Sequence, residues 1–264
     1  MTKYFIFTDV HSFGRLMLEK LAENGFDRDN PEHIFVSLGD LLDRGDETAD
    51  CLEFIASLPP ERMILIRGNH EDLMDMCLNA GSFTATDYYN DTSKSVMDLT
   101  GIYDDDAAAI KAFKMDQRWK YYESQLIDYK EFPHTIFAHG WIPVSIVWEE
   151  SNDGDLYDYA YNPAWRDASK EEWNQARWHN GIQMAGFRII EPGKTIYCGH
   201  VHTSFGHRMY EYDGLEFCRE SVDRKTINEK CNFDPFYMEG IVAMDACTAY
   251  SGKMNCIVLD EEEV

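Results

Sequence analysis

Three apolar runs near the start of the chain, Lys3–Phe7, His33–Leu38 and Met63–Ile66, most restrict how it can fold. Each has the length and β-branched or aromatic character of a buried strand, and each is followed at once by a polar cluster and then by apolar residues at helical spacing. The first leads into Thr8-Asp9-Val10-His11, after which Ser12 is placed to cap a helix with an apolar face of Phe13, Leu16, Met17 and Leu21, closed by Gly25. The second leads into Gly39-Asp40-Leu41-Leu42-Asp43-Arg44-Gly45 and a helix from about Asp46, with Leu52, Ile55 and Ala56 on one face and Pro59-Pro60 as its stop. The third leads into a turn, Arg67-Gly68-Asn69-His70-Glu71, and a helix that buries Leu73, Met76 and Cys77. Three consecutive β-α units predict an α/β fold with parallel strands, each delivering polar residues to the carboxyl edge where such sheets bind ligands.

Residues 80 to 132 break this rhythm with Tyr88-Tyr89, the run Asp104-Asp105-Asp106 ahead of a helix through Trp119, and Tyr121-Tyr122. They read as a mostly helical insertion in a single domain spanning residues 1–264. Strand character returns at Thr135–Ala138, ahead of His139-Gly140-Trp141, and at Thr195–Cys198, ahead of Gly199-His200-Val201-His202. Between them residues 149 to 180, rich in Tyr, Trp and Asp, read as loops and helix on the substrate side. Gly240–Met244 and Met254–Leu259 read as antiparallel, hairpin-like strands around Ser251-Gly252, and Asp260-Glu261-Glu262-Glu263 as a solvated acidic tail.

With 48 acidic against 24 basic residues the chain carries a formal charge of −24, which argues against nucleic acid or an anionic membrane as its main partner. A phosphorylated substrate would then have to be met by a local positive source, and metal ions would provide one. The seven cysteines are odd in number and form no C-x-x-C pair, as expected of reduced thiols in the cytoplasm. No run has signal-peptide or membrane-spanning character, so a soluble cytoplasmic protein is expected.

Five strand ends therefore carry metal-ligand residue types: Asp9 with His11, Asp40, Asn69, His139, and His200 with His202. In extended backbone residues i and i+2 point to one side, so Asp9 and His11 can reach a common point. One such residue alone is usually a cap or a turn former; recurrence at the same edge gives the pattern its meaning. Mixed carboxylate, carboxamide and imidazole donors suit Mn, Fe, Zn or Ni better than Ca, and they are too many for one ion. Two ions, about 3.5–4 Å apart and bridged by a carboxylate, would use them all. Asp40, central in the order, is the bridging candidate.

The series Asp9-x-His11, Gly39-Asp40-x-x-Asp43-Arg44-Gly45, Arg67-Gly68-Asn69-His70-Glu71, His139-Gly140 and Gly199-His200 resembles the signature of the calcineurin-like metallophosphoesterases. Within them it is most similar to the PPP-type serine/threonine phosphatases of bacteria and phages. The resemblance implies a central β-sandwich flanked by helices and a centre of two divalent metal ions, with manganese as the first candidate and iron, zinc and nickel as the alternatives. It implies that Asp9 and His11 bind the first ion, Asp40 bridges, and Asn69, His139 and His200 hold the second. It makes His70 the general acid, Asp43 the group that orients it, and Arg44 a phosphate clamp. It also places a second phosphate-binding arginine ahead of Gly199-His200, for which Arg177 is preferred over Arg166, and an aromatic residue, Tyr250, over the site. The implied reaction is hydrolysis of a phosphomonoester by in-line attack of a metal-bridging hydroxide.

Three positions depart from the family pattern. Ser12 and Thr8 stand where glycine is usual. His202 completes a Gly-His-x-His pattern found in the wider superfamily, where it ligates the first ion; the alternative here is a hydrogen bond within the loop. His33, His134, His179 and His207 have no motif behind them and read as structural or surface groups, and the aromatic run from Tyr157 to Trp178 reads first as core. Competing functions are a nucleotide phosphohydrolase of the symmetrical dinucleoside-tetraphosphatase kind, a phosphodiesterase, and a catalytically silent metal-binding scaffold. A nuclease is disfavoured by the charge.

Overall fold

The computed structural model of the chain describes residues 1–151, 154–214 and 224–264. Two mixed five-stranded sheets form its centre. In the first, β1 (Lys3–Phe7), β2 (His33–Ser37), β3 (Met63–Ile66) and β4 (Leu126–Ile127) run parallel, and the last strand, β12 (Ile257–Asp260), pairs antiparallel with β1. In the second, β6 (Thr135–Phe137), β9 (Thr195–Cys198) and β11 (Ile241–Ala243) run parallel, edged by antiparallel β5 (Lys130–Glu131) and β10 (Phe236–Met238). A separate antiparallel ribbon joins β7 (Ser145–Ser151) and β8 (Gly154–Ala160).

Period-2 alternation along each strand splits the core into layers. Ile6, Val36 and Ile66 of the first sheet meet Phe137, Val242 and Met244 of the second. On the outer face of the first sheet, Phe5, Phe7, Phe35 and Leu65 pack against helices that contribute Met17, Leu21, Leu52, Ile55 and Met74. Outside the second sheet, Ile136, Ile196 and Ile241 pack against Trp141, Trp165, Trp173 and Ile182. The result is the expected β-sandwich with helices on both sides.

Helix α1 (Gly14–Glu23) buries Met17 and Leu21, with Phe13 and Leu16 packed against the same core. Ser12 does not cap it. The chain is left-handed at His11 and Ser12, with φ of 51° and 56°, and Ser12 Oγ bonds Thr48 Oγ1 at 3.0 Å instead. Helix α2 (Thr48–Ala56) starts later than Asp46, because the intervening residues dock on the first loop: Gly45 N–H donates to His11 O at 2.9 Å and Glu47 N–H to Ser12 O at 3.0 Å.

The turn expected at residues 67–71 is already helix from Asn69, the start of α3 (Asn69–Ala80). Its buried face is Asn69, His70, Met74, Cys77 and Leu78, whereas Met76 is exposed and Leu73 only partly buried. The face is rotated because Asn69 and His70 must point inward. Four helices follow: α4 (Ala85–Tyr89), α5 (Thr92–Thr100), α6 (Asp106–Met115) and α7 (Gln117–Gln125).

The stretch expected to be loops and helix contains the β7–β8 ribbon, followed by helix α8 (Lys170–Ala176). Nor do β11 and β12 form a hairpin; a helical turn at Thr248–Ser251 carries the chain from one sheet to the other. The acidic end is anchored by Val264, which is buried and accepts a hydrogen bond from His134 N–H at 3.0 Å. Cys51, Cys77, Cys198, Cys231, Cys247 and Cys256 are free thiols; Cys218 lies outside the described residues. No described helix is long and apolar enough to cross a membrane.

Candidate metal centre

The first two β-α loops are laced together. Asp9 N–H donates to Gly39 O (3.1 Å), His11 N–H to Asp40 O (3.0 Å) and Ser12 N–H to Leu41 O (2.8 Å). Asp9, His11, Ser12, Asp40, Asp43, Arg44, His200 and Cys247 all take positive φ, a conformation costly for residues with a Cβ and concentrated here on one surface. That surface borders a cavity of about 260 Å³. Gly68 is required by close approach, since a Cβ there would collide with Asp40 Oδ1, and a Cβ on Gly199 would strike Thr8 and Asp9.

The two oxygens of Asp40 face two donor sets. Oδ1 lies 3.3 Å from His139 Nε2, and Asn69 Oδ1 lies 2.8 Å from that nitrogen and 2.9 Å from His200 Nδ1. Oδ2 lies 3.9 Å from His11 Nε2, which is also 3.9 Å from Asp9 Oδ1. The donor atoms of Asp40, His139 and His200 cluster closely enough to hold an ion, as do those of His11, Asp40 and His70.

Proton bookkeeping shows that this arrangement fits cations. A neutral imidazole has one N–H. The His139 ring meets Leu38 O at 2.7 Å on Nδ1 and Asn69 Oδ1 on Nε2, two acceptors for one proton. His200 likewise meets Asn69 Oδ1 and the Trp178 carbonyl, and burial drives its pKa down to about 3, so it does not become doubly protonated near neutrality. Asn69, His139 and His200 thus present metal-ligand atoms to one point. On the other side, His11 Nδ1 is spent on Leu42 O at 3.1 Å, leaving Nε2 bare toward two carboxylates; burial, then neighbouring His70, hold its pKa well below the usual value. Asp40 is pushed well up, first by burial and then by Asp9. Divalent ions would suit both donor sets.

The supporting contacts are as specific. Glu71, 2% exposed, accepts Asp40 N–H (3.0 Å) and Gly68 N–H (2.7 Å) on Oε2, and Leu41 N–H (3.0 Å) and Tyr122 O–H (2.7 Å) on Oε1. One carboxylate therefore ties two ligand loops to α7. Thr8 Oγ1 and His200 N–H donate to Asp9 Oδ2 at 2.6 and 3.0 Å, which leaves Oδ1 directed at His11. The departure at Thr8 adds a hydroxyl to the site.

His70 Nδ1 lies 2.8 Å from Asp43 Oδ2, and Arg44 Nη2 is 3.3 Å from His70 Nε2. Burial, followed by the Arg44 charge, lowers His70 to about 4, so the resting ring is neutral and its Nδ1–H donates to Asp43. Burial raises Asp43 to about 7 against the pull of the hydrogen bond from Thr92.

Tyr250, Arg44 and His202 line the cavity. His202 Nδ1 bonds Ser204 Oγ at 2.8 Å, and its ring belongs to neither donor cluster, which favours the loop hydrogen bond over a ligand role. Arg177 does not line this cavity; its guanidinium pairs with Asp72 at 2.8 Å and with Asp128, acids brought to it by α3 and by the end of β4. Arg166 is no substitute, because it pairs with Glu131 and Glu191 and stacks on Trp165 at 4.3 Å. Trp178, half exposed, lines the cavity and meets the His200 ring edge-on at 5.7 Å. His33 and His207 are structural, packed on Phe5 and bonded to Asp234 O respectively.

Sequence reasoning missed Asp245. It lines the cavity, is 7% exposed, and is held well above the usual carboxyl range by burial and then by Asp9. Its signal was the one used elsewhere: a carboxylate immediately after a strand.

A family model described as calcineurin-like phosphoesterase matches residues 2–204. A 65-residue stretch is 37% identical to serine/threonine-protein phosphatase 1 of Salmonella typhimurium, covering 25% of this chain and only 28% of that protein. Among solved structures, the cold-active protein-tyrosine phosphatase of a psychrophilic Shewanella species shares the fold, with a TM-score of 0.52 and 13% identity over 99% of this chain and 76% of that one. A metallophosphoesterase from Sphaerobacter thermophilus is more loosely similar, with a TM-score of 0.44 and 14% identity over 99% of this chain and 85% of its own. Since the matched span carries all five strand ends that converge on Asp40, the chain belongs to the calcineurin-like phosphoesterase family.

Proposed function

We propose that this chain is a two-metal phosphomonoesterase of the serine/threonine phosphoprotein phosphatase kind. The observation that carries the reading is the placement of Asp40, with one carboxylate oxygen toward Asn69 and His139 and the other toward His11. Asp9, His11 and Asp40 would hold one ion, and Asp40, Asn69, His139 and His200 the other. Manganese is the first candidate, with iron, zinc and nickel as alternatives suited to the same donors. Bound there, the ions would supply the nucleophile and most of the positive charge that a phosphoryl group meets.

The side chains do the rest. Arg44 presents a planar fork of donors suited to two phosphoryl oxygens. While it rests on His70 it depresses that ring; once it turns to phosphate, the dianion's charge favours uptake of a solvent proton on Nε2 to give the imidazolium. His70 then gives the Nε2 proton to the departing alkoxide, with Asp43 holding Nδ1. A proton donor matters most for alkyl leaving groups, so phosphoserine or phosphothreonine peptides fit this site better than aryl esters do. The restricted identity to a serine/threonine phosphatase supports the same reading.

The test is His70→Asn on the manganese-loaded enzyme. Turnover of a phosphoserine peptide should fall by roughly 10²–10⁴-fold, the usual contribution of a positioned acid, and that of an aryl phosphate far less. Equal losses on both substrates would remove His70 from the role. A dinucleoside tetraphosphate or aryl phosphodiester turned over faster than the peptide would replace the monoesterase reading with the competing phosphohydrolase one.

A further inference from the structure

We infer that the first turn of α5 is part of the proton-delivery apparatus, with Thr92 as the positioning residue for the Asp43–His70 pair. The inference rests on the proposed role of His70 and adds a residue that no sequence motif marks.

The Asp43 carboxylate is buried, and its two oxygens differ. Oδ2 receives His70 Nδ1–H at 2.8 Å and Thr92 Oγ1–H at 2.7 Å, while Oδ1 is buried without a hydrogen-bond partner. Rotation about the Cβ–Cγ bond would turn Oδ2 out of line with Nδ1, and a second donor fixed beside Oδ2 resists this. Thr92, fully buried at the start of α5, is that donor.

The backbone of Asp43 is held by the same turn. Asp43 sits at φ 74°, a strained value for a residue with a Cβ, and its N–H donates to Ser95 Oγ at 2.9 Å. Thr92 and Ser95 are three residues apart and so share one helix face. Between them Lys94 Nζ reaches Arg44 O at 3.4 Å, and Asn90, just ahead of the helix, lines the cavity. Three residues of one turn thus hold the Asp43–Arg44 corner, and one hydroxyl fixes the plane of the carboxylate that faces the imidazole.

Thr92→Val removes the hydroxyl and keeps the β-branched shape. In the manganese-loaded enzyme, kcat for a phosphoserine peptide should fall about 10–100-fold, in line with the loss of an orienting partner, and kcat for an aryl phosphate by less than about 3-fold. Thr92→Ser should restore most of the loss, and metal content should match the parent in both variants. Ser95→Ala, which removes the acceptor for Asp43 N–H, should show the same substrate-selective loss and serves if Thr92→Val folds poorly. Equal losses on the two substrates, or no loss on either, would overturn the inference. His70→Asn run in parallel separates the two levels. A selective loss there without one in Thr92→Val refutes the role of Thr92 alone, and no selective loss in His70→Asn refutes both.

Discussion

Glu71 offers the sharpest perturbation of the supporting structure, because one carboxylate answers four donors. Glu71→Gln keeps the shape and replaces one acceptor oxygen with an NH₂ group, so two of the donors among Asp40 N, Gly68 N, Leu41 N and Tyr122 Oη face another donor. Each buried donor left unsatisfied costs about 1–3 kcal/mol, so the substitution should destabilise the metal-free chain by roughly 2–6 kcal/mol. In a chain of this size that corresponds to a melting temperature lower by about 5–15 °C. Because Asp40 N and Leu41 N belong to the loop that carries the shared ligand, manganese affinity should fall about 10–100-fold as well. Tyr122→Phe removes only one donor and should lie at the low end of both ranges. Differential scanning calorimetry with and without manganese, together with metal titration calorimetry, reads both effects. A melting shift under about 1 °C with unchanged metal affinity would refute the reasoning.

Two further outcomes follow from the site. In the metal-free chain Asp40 and Asp245 sit above the ordinary carboxyl range because of burial and Asp9, so the native state retains protons that ions must displace. Manganese binding should therefore release protons and tighten as pH rises through the range in which these raised carboxyls ionise, as calorimetry in buffers of different ionisation enthalpy would show; net proton uptake would contradict it. Arg177→Ala should cost about 1–3 kcal/mol of stability by leaving the partly buried Asp72 with Arg67 as its remaining ion-pair partner, while KM for a phosphopeptide stays within about 2-fold; a large rise in KM with stability unchanged would return Arg177 to substrate binding.

The strand ends were legible because alternation and a following polar cluster survive in sequence. Asp9, His11, Asp40, Asn69, His139 and His200 all arrive at one edge; the apolar runs pointed to parallel β-α units, and the two-sheet sandwich around them came from the family resemblance. The register of α3 was not legible, because its inward face is polar: Asn69, His70 and Glu71 are buried by bonds to remote groups, which hydrophobic spacing cannot register. The surroundings of Arg177 were not legible for a related reason. Its position along the chain was readable, but its direction is set by Asp72 and Asp128, 105 and 49 residues away. Thr92 and Ser95 carry no motif at all, and only packing of α5 on the Asp43 loop gives them a task.

The central claim is that Asp40 joins two metal sites. Metal-free protein loaded with manganese and freed of excess ion should retain two ions per chain by elemental analysis, and Asp40→Asn should retain at most one while losing phosphomonoesterase activity. Two ions bound at native affinity in Asp40→Asn, with activity intact, would contradict the account.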